Sequence, residues 1–153
     1  MNLGVVEEMV RLSAAAVVGG MIGINRDIAG KPIGLRTLAL VSLGAAIATV
    51  AAIQVPGIAG SVDPMSRVVQ GLIQGIMTGI SFIGAGVVLR DVRSRTVEGL
   101  TTASTVWVAA ALGIACGLGA WTVIVTGTIL ALVFLVLFEW FETKFGIGKS
   151  KKE

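Results

Sequence analysis

No charged residue separates Arg67 from Arg90, and the run between them, VVQGLIQGIMTGISFIGAGVVL, is long enough to cross a bilayer as a helix at about 1.5 Å per residue. On such a helix Gly71, Gly75 and Gly79 recur at i, i+4 and i+8 and form a groove, while Arg67, Gln70, Gln74, Thr78 and Ser81 make a polar stripe beside it. Small residues let helix backbones approach closely in lipid, and side-chain amides there seek partners on other helices. The segment is therefore expected inside a bundle and not at its edge. Two readings of the stripe stay open: packing between helices, or the lining of a path or site.

The rest of the chain suits a polytopic membrane protein. Of its 153 residues 55% are hydrophobic and 14% charged, with a mean hydropathy of +0.93. Apolar runs predict about five spans, near residues 5–24, 35–55, 67–89, 100–116 and 121–140, in a transmembrane domain over 1–143 that a basic tail, 144–153, follows. The expected fold class is all-α, a transmembrane helix bundle. Glu7, Glu8 and Arg11 open the first segment, an acidic start that argues for a retained helix and against a cleaved signal. Gly19, Gly20 and Gly23 give its inner end a close-packing surface. Asp63 before Pro64 reads as a helix start with a carboxylate at the positive end of the dipole.

The net charge of +3 does not call for nucleic acid, because the basic residues lie where topology needs them. The two basic connections and Lys144, Lys149, Lys151 and Lys152 fall on one side of a five-span arrangement, Arg11 and Arg67 on the other. By the positive-inside rule the N-terminus is expected outside and the C-terminus in the cytoplasm. Trp121 and Trp140 would then bracket the last span at the two interfaces.

The two connections resemble each other. Arg26-Asp27-Ile28 precedes Ile33 and Gly34-Leu35-Arg36-Thr37; Arg90-Asp91-Val92 precedes Val97 and Gly99-Leu100-Thr101-Thr102, at an offset of about 64 residues. This predicts two parallel helical-hairpin repeats plus one helix, related by an axis along the membrane normal. The first and third helices are expected to meet, with Gly19, Gly20 and Gly23 against the stretch from Gly79 through Gly84 to Gly86. Gly113 and Gly117 form another small-residue pair that suits a homodimer.

Each G-L-x-T block opens a helix whose N-terminus points at the cytoplasm, with Arg26, Arg36, Arg90, Arg93 and Arg95 around the two ends. Free N–H groups, the helix dipole and arginines together favour an anion: an acidic protein partner, lipid headgroups or a phosphate. The alternative is that the arginines only fix topology, and that Thr37 and Thr102 bond the preceding turn. Other chemistry is poorly supplied. There is no histidine, Cys116 is the single cysteine, and no acid lies in the middle of a span. Neither a dedicated magnesium cage nor an activated nucleophile is expected, no metal site is identified, and no cofactor or enzymatic activity is expected.

Several ordered motifs resemble the bacterial MgtC/SapB family over about residues 10–120: Gly34-Leu35-Arg36-Thr37, Asp63-Pro64 with Arg67-Val68, the run from Gly79 to Gly86, and Val97-Glu98-Gly99-Leu100-Thr101-Thr102-Ala103 with Trp107. The resemblance implies an inner-membrane bundle tied to homeostasis at low magnesium. It leaves two functions: a regulator that binds other membrane machinery, such as the ATP synthase, or a transporter of Mg²⁺ or another small solute. It also makes Asn25 and Ser81 departures, since the family usually has Glu and Gly there. Some members carry an ACT-like cytosolic domain, which is not expected here.

Overall fold

The computed structural model describes residues 3–55, 62–89 and 99–145. They form five α-helices: α1 (Val5–Ile28), α2 (Leu35–Ile53), α3 (Val62–Leu89), α4 (Leu100–Leu118) and α5 (Trp121–Phe145). Among the described residues four of these, α2 to α5, are long and apolar enough to cross a membrane. The remaining helix, α1, is 24 residues long, but Glu7, Glu8, Arg11, Arg26 and Asp27 dilute its apolarity.

The observed boundaries refine the expected ones. α1 runs past residue 24 and takes Arg26 and Asp27 into its last turn. It stops where Gly30 adopts φ +64°, with the Lys31 N–H donating to the Arg26 carbonyl and the Gly30 N–H to the Asp27 carbonyl. This is a Schellman end, and glycine is the residue that takes that backbone without a Cβ penalty. α4 ends the same way at Gly119, φ +73°. α3 starts at Val62, so Asp63 and Pro64 lie in its first turn and not ahead of it.

Glycine positions set the packing. At Gly19 a Cβ would overlap the Leu38 carbonyl and Ser42, and at Gly23 it would lie 2.5 Å from the Leu35 Cα. The numbering falls on α2 as it rises on α1, so the two helices form an antiparallel hairpin in near-backbone contact. Gly113 sits on the Ser42 backbone and Gly117 on Thr49 and Ala46, so here both numberings rise and α2 and α4 run parallel. α3 and α4 make the second antiparallel hairpin, with Gly84 on Ala103 and Gly99 on Val87. The buried core, Leu38, Ala46, Val106, Ala109 and Cys116, lies along these contacts and uses mostly small side chains.

The packing follows the repeat. α2 and α4 form the central pair, α1 packs on both, and α3 packs on both from its own hairpin. Ala45 and Ala110, equivalent positions of the two blocks, share one buried cluster. α5 is added against α4 and α1.

Three expectations are corrected. α1 and α3 make no substantial contact, because the glycines that would bring them together are used elsewhere: Gly19, Gly20 and Gly23 all face α2. Gly113 and Gly117 are spent inside the chain on α2 and are not available to a second copy. Finally, α3 is a peripheral helix, little buried, and Gly71, Gly75, Gly79 and Gly86 have nothing within 4 Å of a built Cβ. Of the α3 glycines named for packing only Gly84 makes a contact, with Ala103 Cβ at 3.4 Å.

Candidate functional site

The R-D dipeptide of the first block is a junction. Arg26 is buried in the last turn of α1, where its guanidinium donates to the Thr102 hydroxyl in α4 and, at 3.5 Å, to the Pro32 carbonyl. It thereby ties the first hairpin to the second. Asp27, one residue on, faces the other way and its Oδ2 accepts the Leu35 N–H at 2.9 Å. That carboxylate occupies the positive end of α2, where the dipole and the free N–H groups favour an anion. A Cβ at Gly34 would fall on the Asp27 carboxylate, which explains the glycine in G-L-x-T.

The anion reading of this end changes accordingly. At α2 the protein supplies its own anion, and Arg26 is an internal tie and not part of an exposed basic face. Arg36, Thr37 and Thr101 are exposed, as is Lys31, while Asn25 is half-buried. The Thr102 hydroxyl receives Arg26. Arg90, with Arg93 and Arg95, lies outside the described residues, as does the Asp63 side chain.

The opposite end holds a second buried arginine, Arg11, which the sequence marks only as a charge opening the first segment on the outer side. Arg11 donates to the Gly117 carbonyl at 2.7 Å and to the Glu7 carboxylate, and is 5% exposed. Gly119 leaves the space that the guanidinium fills. The Gln54 amide donates to Glu8 at 3.0 Å, joining α2 to α1 at the same end. The signal was present: Arg11 begins the apolar stretch of α1, where an arginine faces protein or water and not lipid.

The polar stripe of α3 lies apart from both ends. Arg67, Gln70, Gln74, Thr78 and Ser81 are all exposed, on the side turned away from the bundle. Thr78 donates to the Gln74 carbonyl at 2.7 Å and Ser81 to the Met77 carbonyl at 2.8 Å. Trp107 of α4 is also outward, 48% exposed. Among the described residues no three His, Cys, Asp or Glu side chains group as metal ligands. Trp140 stacks on the cation of Lys144 at 4.4 Å and meets Phe141 edge-on at 5.2 Å, as an interfacial anchor does.

An all-helical bundle with apolar, span-length helices, and arginines folded inward onto carbonyl and hydroxyl oxygens, is a multi-pass membrane protein. The chain belongs to the MgtC family, whose profile matches residues 12–144. It is 40% identical over 138 residues to protein SrpB of Synechococcus elongatus, covering 84% of this chain and 73% of that one. YhiD of Escherichia coli K12, named as a candidate magnesium transporter, is 36% identical over 135 residues, covering 87% of this chain and 61% of YhiD. Protein MgtC of Salmonella typhimurium is 35% identical over 131 residues, 86% of this chain and 52% of MgtC. The chain thus spans only part of each relative's length. No solved structure matches it.

Proposed function

We propose that this is a magnesium-linked protein of the bacterial inner membrane that acts by binding other membrane machinery through its basic cytoplasmic end. The observation that carries the reading is the placement of polar groups. Inside the bundle, α1, α2 and α4 meet through glycines with no room for a Cβ, and the stripe that would line a path lies on the outer side of α3. A conduit through a single chain would need polar groups facing inward along its length. The link to magnesium rests on family membership and on the name of YhiD.

In this reading α1 is the fifth span, since it packs antiparallel to α2 and buries both of its arginines. That count puts the N-terminus outside and the C-terminus in the cytoplasm. Lys31 and Arg36 then stand exposed at the cytoplasmic end as the contacts for an acidic surface. Copurification from solubilised membranes tests this: Lys31→Glu with Arg36→Glu should remove the bound complex while leaving the bundle folded. An unchanged set of copurifying proteins would refute it. The second reading, transport, is favoured by one observation, the polar side chains that α3 carries within a span-length helix.

A further inference from the structure

Two helices of this bundle show their surroundings different surfaces. α5 exposes Val125, Ile129, Val133, Val136 and Phe138, the side chains that hydrocarbon accommodates. α3 is also a span-length helix, and packs Met65, Val69, Ile76 and Ile80 inward, yet leaves Gln70, Gln74, Thr78 and Ser81 exposed. Ile73 and Phe82 share that surface, but the amides and hydroxyls set it apart from the face of α5. Thr78 and Ser81 satisfy their hydroxyls by donating to carbonyls one turn back. A glutamine amide has two N–H donors and a carbonyl acceptor, and leaving these unmatched in hydrocarbon costs several kcal/mol. Beside the two amides, Gly71 and Gly75 leave the α3 backbone open: among the described residues nothing lies within 4 Å of where a Cβ would stand.

We infer that this face of α3 is the contact surface for a second copy of the chain. The two α3 helices cross at Gly71 and Gly75, and Gln70 and Gln74 pair across a two-fold axis along the membrane normal. A second copy is the occupant because the face is its own complement. A glutamine offers both donor and acceptor, so the same residue across a two-fold axis satisfies it, and no charge lies on the face between Arg67 and the far end of the helix. Copies in one membrane share an orientation, so the pair is parallel, and glycines four apart allow the close right-handed crossing of small-residue helix pairs. The surface differs from the pair Gly113 and Gly117, which the fold consumes. It is also separate from the cytoplasmic end on which the proposed function rests.

The full chain in lipid nanodiscs, weighed by native mass spectrometry, should be a dimer. In a Cys116→Ala background, Gln74→Cys oxidised in native membranes should crosslink to twice the chain mass, whereas Val133→Cys on the outer face of α5 should not. Gly75→Leu should lower the dimer population at least tenfold without changing the unfolding of the monomer, since a side chain there meets nothing among the described residues. A monomer mass in nanodiscs, equal crosslinking at Val133, a Gln74 adduct of any other mass, or a dimer that survives Gly75→Leu would each overturn the inference. If Gly75→Leu lowers yield, the two cysteine variants decide alone.

Discussion

Glycine means different things at different positions of this chain, and a built Cβ separates them. Gly113 rests on the Ser42 backbone, which cannot move aside as a side-chain tip can. Gly113→Leu should therefore cost at least about 3 kcal/mol and abolish folded protein on size-exclusion chromatography in detergent. Gly79→Leu, at an open position, should give normal yield and melting. Ser42 itself is fully buried and its hydroxyl has no hydrogen-bond partner among the described residues. Ser42→Ala should then be neutral or stabilising by up to about 1 kcal/mol, measured as the midpoint of denaturant unfolding in micelles. Thr102→Val removes the acceptor of a buried guanidinium and should destabilise by about 1–3 kcal/mol in the same assay. Sequence alone marked the glycines and the threonine as noteworthy but could not sort them, because the sorting depends on which neighbour lies opposite.

At the scale of the element, the hairpin connection is built by one dipeptide whose two charges act in different directions. Arg26 reaches across to α4 and Asp27 caps the helix that follows its own turn. Gly34→Ala places a methyl on that carboxylate, so it should unseat the cap and fray the first turn of α2. Faster hydrogen exchange at Leu35 and its neighbours would register this, with the core of α4 unchanged. The helices and their approximate ends were legible because uncharged runs of span length leave few alternatives. The role of Asp27 was not, since its bond crosses eight residues and a left-handed Gly30 turn. Nor was the setting of α3. A glycine groove with amides argues for a neighbour, but the periodicity does not say whether that neighbour belongs to the same chain.

At the scale of the whole molecule, the repeat read from a few matched residues corresponds to two antiparallel hairpins whose second helices, α2 and α4, lie parallel at the centre. The class, the family and the repeat were all accessible from the sequence, through hydropathy, ordered motifs and self-similarity. Which helix lies against which was not, because glycines in every helix offered more pairings than the bundle could use. The interior of the bundle is packed through glycines and small side chains, and the proposed function makes the protein act by contact and not as a conduit. Mg²⁺ entry into liposomes carrying the purified full chain, followed with a trapped indicator, tests it most directly. Entry equal to that of protein-free liposomes is predicted; saturable entry that Gln74→Leu removes would contradict it.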